Sequence, residues 1–236
     1  MKPDASQFDV LTFDCYGTII DWETGLLRTL KPTLVAHAVS LSDEDLLARY
    51  GELEAGIQAG AFRKYADVLA SVLSGFGREY DFEPSAQEVL DFSRSVQHWP
   101  PFADSAAALK ALQSKFRLVV LSNIDDDLFE FSRAQLGVTF DRVFTAQQIG
   151  SYKPSLRNFQ YMLERVGVPK DRILHVAQGL FHDIVPTRAL GIRNVWVNRR
   201  SGRPGSGATL GSDVKPDFEV PDLRSLAQAF GLDPKA

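Results

Sequence analysis

Short apolar segments rich in β-branched residues recur along the chain, and each is bounded by a polar or turn residue. Buried parallel strands usually show this pattern. The strands are predicted at 10–13, 118–121, 173–176 and 195–197, with a weaker one at 143–144. Helices are predicted at 105–114, 126–136, 155–166 and 186–190, and a closing strand and helix within 216–230. Strands and helices that alternate at short intervals are typical of βαβ units, so we expect an α/β fold with a doubly wound parallel sheet.

Residues 21 to 98 interrupt this alternation. They contain no convincing strand but several amphipathic stretches, among them 43–56 and 61–76. Ser42 or Asp43 is expected to cap the first stretch, and Gly75 and Gly77 are expected to end the second. The interruption therefore predicts a helical insert.

The predicted division gives a core made of residues 1–20 and 99–236 and an insert made of residues 21–98. The proline-rich segment "HWPPFADS" marks the exit from the insert. Near the end of the chain, "RRSGRPGSGATLGSD" is rich in glycine and serine and has no periodicity. We expect this loop to be a flexible surface excursion rather than a lid over a substrate.

Composition narrows the class of protein. The chain has 236 residues, of which 44% are hydrophobic, and a formal net charge of −4 that argues against nucleic acid or an anionic membrane as partner. No apolar run approaches the roughly 18 residues that a membrane span requires, and the N-terminal segment does not resemble a signal peptide. The single cysteine, Cys15, excludes an internal disulfide. We expect a cytoplasmic protein.

Polar residues stand where the predicted strands end, and in a doubly wound sheet ligands gather at the carboxyl ends of the strands. Each patch also has a plain structural explanation, such as a helix cap or an exposed lysine. Because such patches follow successive strands in order along the chain, we expect the patches to meet in one crevice. The patches are Asp14 with Thr18, then Ser122 with Asn123, then Lys153, then His182 with Asp183. The acids at 125–127 are expected to form a helix N-terminus rather than a metal site.

Four stretches together resemble, in order, the four motifs of the haloacid dehalogenase superfamily: "FDCYGTIIDWE", "LSNID", "SYKPS" and "HVAQGLFHD". The tyrosine in the first motif and the helical insert after it are similar to the L-2-haloacid dehalogenase (type II) branch. The resemblance implies a Rossmann-like core under a helical cap. It also implies a small halogenated carboxylic acid as substrate and a homodimer as one expected assembly.

The resemblance also implies residue roles. Asp14 matches the nucleophile, Lys153 the lysine that pairs with it, and Asp183 the acid of the fourth motif. Polar residues that position the nucleophile and the substrate carboxylate are matched by Thr18, Ser122 and Asn123. In "ARYGELE", Arg49 matches an arginine that helps to hold the leaving halide, with an exposed helix arginine as the alternative. The sequence departs from the family pattern in two places. The fourth motif is one residue longer and lacks the usual Ser and Asn, and Phe159 stands where a tyrosine is usual.

Tyr16 bears on the choice of reaction. Superfamily phosphatases usually carry an aspartate two positions after the nucleophile, and it protonates the departing alkoxide. A halide needs hydrogen-bond donors rather than a proton, so Tyr16 favours a dehalogenase. The fourth motif offers a single acid, Asp183, where a magnesium enzyme generally has several. We therefore expect a metal-free site without a cofactor.

The expected reaction is hydrolytic dehalogenation of short 2-haloalkanoic acids through an ester on Asp14. Asp183 is the preferred base for the hydrolytic water, with His182, near its ordinary pKa, as a substitute. The alternative enzyme is a magnesium-dependent phosphatase, or another small-molecule hydrolase, that uses Asp14 as acceptor. A binding module that keeps the fold without the chemistry is the third hypothesis.

Overall fold

The computed structural model describes residues 3–234 and contains one six-stranded sheet. Every pair of neighbouring strands is parallel, in the order β3-β2-β1-β4-β5-β6. The strands are β1 (Val10–Phe13), β2 (Arg117–Ser122), β3 (Arg142–Thr145), β4 (Ile173–Ala177), β5 (Arg193–Val197) and β6 (Phe218–Val220). The predicted α/β fold and the strands are confirmed.

The central strand, β1, is hydrogen-bonded on both sides, with Phe13 in register with Val120 of β2 and Val176 of β4. Successive side chains of a strand point to opposite faces. Accordingly Leu118 and Val120 belong to one hydrophobic cluster, whereas Val119 and Leu121 belong to another. Because both faces are apolar and covered, the carboxyl ends of the strands form the sheet edge where polar residues collect.

Four helices follow β1 in the predicted insert, and no strand lies among residues 22–98. They are α1 (Trp22–Ala36), α2 (Asp43–Gln58), α3 (Tyr65–Glu79) and α4 (Ala86–Arg94), followed by a short 3-10 turn, Ser95–His98. Ser42 caps α2, since its hydroxyl accepts the N–H of Asp45 at 3.1 Å. The predicted cap of this helix is confirmed.

The expectation that Gly75 and Gly77 end the third helix is wrong, because α3 continues to Glu79. Both glycines are buried inside the helix, where neighbouring atoms leave little room for a side chain. A Cβ on Gly75 would lie 3.0 Å from Leu53, and one on Gly77 would lie 2.5 Å from the carbonyl oxygen of Phe82. The glycines therefore permit close packing rather than helix termination.

The remaining helices flank the sheet. Those that were predicted end within a residue or two of the expected positions, whereas the short helix at 146–149 was not predicted. The helices of this group are α5 (Ser105–Gln113), α6 (Asp126–Leu136), α7 (Ala146–Ile149), α8 (Leu156–Arg165), α9 (Val185–Leu190) and α10 (Leu223–Ala229). One π-helical turn, Leu180–Ile184, joins β4 to α9. Within residues 3–234, none of these helices combines the length and the apolar character needed to cross a bilayer.

Asp125 ties the core to the insert. It precedes α6, as expected of a helix N-terminus, but its carboxylate accepts the N–H groups of Tyr65 at 2.9 Å and Ala66 at 3.1 Å, which begin α3. An acid suits this position because the first N–H groups of a helix have no partner within the helix. The division of the chain at residues 20/21 and 98/99 stays a prediction.

The Gly/Ser-rich loop at 199–213 is irregular, as expected, but it differs from a flexible surface excursion. Arg200 is only 7% exposed and forms an ion pair at 2.5 Å with Glu23 of α1. Ala208 is fully buried and donates its N–H to the same carboxylate at 3.1 Å. Thr209 is also buried, so part of the loop packs against the insert.

Candidate active site

Lys153 lies between two buried carboxylates. Its Nζ is 2.8 Å from Asp14 Oδ1 and 2.6 Å from Asp183 Oδ1. Asp14 directly follows β1 and Asp183 lies in the turn after the neighbouring β4, so the parallel register places both acids at the same sheet edge. One ammonium and two carboxylates leave this group with one net negative charge when all three are ionised.

The Asp14 carboxylate is held from both sides. Thr18 donates its hydroxyl to Asp14 Oδ2 at 2.7 Å and accepts the N–H of Gln178 at 2.8 Å. Burial raises the pKa of Asp14, the charge of Lys153 opposes this, and the neighbouring Asp183 adds to it. The arrangement fixes the orientation of a carboxylate that has little contact with solvent.

His175 contacts the same oxygen of Asp183 as Lys153 does. Its Nε2 is 2.9 Å from Asp183 Oδ1, its Nδ1 is 2.8 Å from the hydroxyl of Thr12, and its ring lies against Phe159 with centroids 5.4 Å apart. Burial alone would raise the pKa of Asp183, but the charge of Lys153 and the hydrogen bond from His175 outweigh it and lower this pKa to about 2. Sequence reasoning missed His175, although a titratable residue inside an apolar strand was a usable signal.

Ser122 and Asn123, at the end of β2, have different surroundings. The Asn123 amide accepts the backbone N–H of Lys153 at 2.7 Å and donates to its carbonyl oxygen at 3.0 Å. It therefore orients the loop that carries the lysine. The hydroxyl of Ser122 is buried and has no hydrogen-bond partner among residues 3–234, which leaves it free to bind a ligand.

His182 is half-buried beside the two acids. Its Nδ1 lies 3.1 Å from the hydroxyl of Thr209, which the loop at 199–213 brings to the site. Burial lowers the pKa of His182 to about 4, so the expectation of an ordinary pKa is wrong and the imidazole is neutral near pH 7. Nothing in the aperiodic loop sequence pointed to Thr209.

The hydroxyl of Tyr16 points to Ser132, whose Oγ is 2.9 Å away, and the ring packs edge-on against Trp99. Burial raises the pKa of Tyr16 well above its ordinary value, so the phenol stays neutral. The residue two positions after Asp14 thus contributes an aromatic wall rather than an acid.

Arg49 is not brought to the other predicted residues. Its guanidinium binds Glu79 at 2.5 Å and Glu52 at 2.6 Å, and its side chain is 34% exposed. On α2 the residue that faces the acids is Glu54, five positions later. Five residues of an α-helix turn through about 140° beyond a full revolution, so the two side chains leave the helix on different sides.

A cavity of about 40 Å³ joins the core and insert sides of the site. It has room for roughly three water molecules, at 10–15 Å³ each. Its core side includes Asp14, Tyr16, Ser122, Asn123, Lys153, His182 and Asp183. Its insert side includes Trp22, Glu54, Gln58 and Tyr65.

The side chains of the site can also be compared with the ligands that a metal ion needs. Carboxylate oxygens of Asp14 and Asp183 are of the kind that Mg²⁺ prefers, but each acid already gives one oxygen to Lys153. Across residues 3–234 no three or more His, Cys, Asp or Glu side chains are grouped so as to hold a metal ion. These side chains alone do not form an oxygen cage.

Comparisons with known proteins place this chain in a family. The chain is 23% identical to an (S)-2-haloacid dehalogenase of Pseudomonas putida, over 92% of this chain and 94% of the relative. It is 27% identical to an (S)-2-haloacid dehalogenase of Pseudomonas sp. (strain YL), over 93% of both. The fold matches that of L-2-haloacid dehalogenase from Xanthobacter autotrophicus with a TM-score of 0.77, at 20% identity over 94% of this chain and 97% of the other. The sequence model of the haloacid dehalogenase-like hydrolase family matches residues 8–190, and the chain belongs to this hydrolase family.

Proposed function

We propose that the protein hydrolyses short 2-haloalkanoic acids to 2-hydroxy acids through an ester on Asp14. The observation that carries the proposal is a buried carboxylate, fixed by Thr18 and Lys153, that opens on a cavity of about 40 Å³. A cavity of this size favours short substrates. The activity for which several relatives are named supports the same reaction.

In the first displacement, Asp14 attacks C2 of the substrate from the side opposite the halogen. The new C–O bond forms as the C–halogen bond breaks, and the halide leaves with the bonding electrons. A fixed, desolvated carboxylate is a better nucleophile than a hydrated one because its geometry and solvation need little rearrangement. The unpartnered hydroxyl of Ser122 is the proposed donor to the substrate carboxylate.

In the second step, water attacks the carboxyl carbon of the Asp14 ester, which releases the 2-hydroxy acid and restores the carboxylate. Asp183 is the preferred base: Lys153 and His175 engage its Oδ1, and among residues 3–234 its Oδ2 has no hydrogen-bond partner. His182, neutral near pH 7, is the substitute. The base then gives the proton taken from water to the departing alkoxide oxygen of the 2-hydroxy acid. The restored Asp14 carboxyl loses the second proton to solvent, so each turnover releases one proton.

Tyr16 supports a halide as leaving group. An alkoxide needs a proton as it departs, and the hydroxyl of Tyr16 is bound to Ser132 rather than directed to the nucleophile. A halide leaves without a proton, so the arrangement suits carbon–halogen cleavage better than phosphate ester hydrolysis.

The proposal is tested by a halide-release screen in EDTA over fluoroacetate, chloroacetate, both 2-chloropropionate enantiomers and longer 2-chloro acids. D14N is the blank, and a chromogenic phosphate ester with Mg²⁺ is the competing substrate. We expect halide release that falls with chain length and is lost in D14N by about 10⁴-fold or more. Phosphate release with magnesium, and no halide release, would establish the phosphatase instead.

A single turnover in heavy-oxygen water tests the ester. Water attacks the Asp14 carboxyl carbon, so the label should enter Asp14 before it enters the product. Label that enters the product alone would mean that water attacks the substrate directly.

A further inference from the structure

The insert contributes a third buried carboxyl group to the cavity. Glu54 is 4% exposed, and its Oε1 accepts the hydroxyl of Tyr65 at 2.7 Å and that of Tyr50 at 3.0 Å. The two hydroxyls are 2.9 Å apart. Glu54 Oε2 has no hydrogen-bond partner among residues 3–234, although the residue lines the cavity. One oxygen is thus held in place, and the other is available to a ligand.

Gln58 lies one helical turn after Glu54 and lines the same cavity. Its Oε1 is buried and has no partner among the residues that the structure describes. Buried polar atoms are rarely left unpaired, so the unpaired Gln58 Oε1, one turn from the free Oε2 of Glu54, indicates that a polar ligand occupies the space between insert and core.

In-line displacement determines which part of the substrate approaches Glu54 and Gln58 on the insert side of the cavity. Asp14 attacks from the core side of the cavity, and the leaving atom departs on the opposite side of the carbon. That side of the cavity carries Glu54 and Gln58. The departing atom of the reaction proposed above therefore moves toward the insert, and it becomes an anion as it does so.

An ionised Glu54 would oppose this movement. Among residues 3–234, Lys153 is the only cationic side chain in the cavity lining, and it is shared by Asp14 and Asp183. The substrate adds a carboxylate and then a halide. An additional negative charge on the insert wall would repel the departing anion, whereas a protonated carboxyl would offer it a hydrogen bond.

We propose that Glu54 acts in its protonated form as a halide-binding residue that donates a hydrogen bond from Oε2 to the departing halide. This inference rests on the proposed dehalogenation. Its chemistry differs from that of a cationic halide site, because a neutral acid binds an anion only while it keeps its proton.

The titration of Glu54 supports this assignment. Burial raises the pKa of Glu54 to about 7, against the opposing hydrogen bonds from Tyr65 and Tyr50. The other titratable groups near Glu54 are Tyr152, which precedes α8, and Asp14, Lys153, His182 and Asp183 across the cavity. The tyrosines stay neutral, and His182 titrates well below pH 7. The pKa of Asp14 is also raised, but loss of its proton forms the nucleophile and would increase activity. A decline in activity above pH 7 is therefore the change expected from loss of the Glu54 proton.

The test compares E54Q, E54A and the wild type in kcat/KM for 2-chloropropionate and in equilibrium binding of bromide, from pH 6 to 9. E52Q is the matched control, because it makes the same substitution on the exposed side of the same helix. For the wild type we expect both quantities to fall about tenfold for each pH unit above pH 7. E54Q keeps a neutral donor and should lose this decline, and E54A should lose about 10²-fold in kcat/KM at pH 6.

The two readouts separate this inference from the proposed function. Halide release with no pH decline, and with E54A equal to E52Q, would overturn the role of Glu54 and leave the dehalogenation standing. Bromide binding with the expected decline, but no halide release, would support the anion site and reject the reaction. Activity that rises with pH through 7 and is lost in E54Q would mean that Glu54 acts ionised.

Discussion

Asp183 on the core side of the cavity and Glu54 on the insert side are both buried, but their pKa values shift in opposite directions. On the core wall, Asp183 lies 2.6 Å from Lys153, and its pKa is lowered to about 2. On the insert wall, Glu54 has only neutral hydroxyls as partners, and its pKa is raised to about 7. Both groups are buried, and of the two only Asp183 has a cationic partner. Asp14 shares Lys153 with Asp183, but burial outweighs the shared charge and raises the pKa of Asp14. Asp183 is therefore ionised near pH 7, whereas Glu54 is protonated below pH 7 and loses its proton above it.

The largest expected effect comes from removing the cation of the core wall. K153M leaves two buried carboxylates without a counter-charge, which should destabilise the protein by about 3–5 kcal/mol and abolish halide release. Urea unfolding at pH 7 measures the first effect. The control K31M breaks the exposed pair with Asp43 and should cost at most about 1 kcal/mol. Equal losses in the two variants would contradict the importance of burial.

The contribution of Glu54, on the insert side of the cavity, to the stability of the protein should depend on pH. The pKa of Glu54 is about 7 in the folded protein against 4.5 ordinarily, so folding favours the protonated form. This contribution to stability is fully present below pH 4.5 and is lost as pH rises through 7. Relative to the wild type, E54Q should gain about 3 kcal/mol in free energy of unfolding between pH 4.5 and 8. A pH-independent difference, like that expected for E52Q, would show that Glu54 is ionised throughout.

A smaller effect, on the pKa of Asp183, is expected from replacing His175. H175Q removes a hydrogen bond to the ionised Asp183, a contribution of about 1.5–3 kcal/mol, so the pKa of Asp183 should rise by roughly one to two units. Carboxyl ¹³C NMR of aspartate-labelled protein measures this pKa. H37Q removes the half-buried His37–Glu88 pair and serves as control. An unchanged Asp183 signal would assign its low pKa to Lys153 alone.

The smallest effect is expected outside the cavity. R49Q breaks two partly exposed ion pairs, with Glu52 and Glu79, and should change kcat/KM less than about twofold. A tenfold loss in halide release would instead mean that the arginine reaches the substrate in solution, and the contrast between the two walls would no longer hold.

The sequence by itself determined the sheet and the core wall. Apolar segments bounded by polar residues predicted the strands, because a strand buried on both faces requires an unbroken apolar run. Asp14 and Asp183 were predicted to converge because they follow β-strands that run parallel, and the structure brings them together on Lys153. Local pattern and strand direction were sufficient for these residues.

The insert wall was decided by the tertiary structure alone. Helical periodicity showed that α2 has two faces, but not which one lies over the cavity, and the family resemblance implied Arg49 at the site where Glu54 stands. Thr209 reaches His182 through a loop without periodicity, which is ordered by its buried contacts with Glu23. A helix orientation and a loop path depend on packing between distant segments, and no local sequence pattern records that packing. The same reason left the pKa of Glu54 unforeseen, since burial sets it.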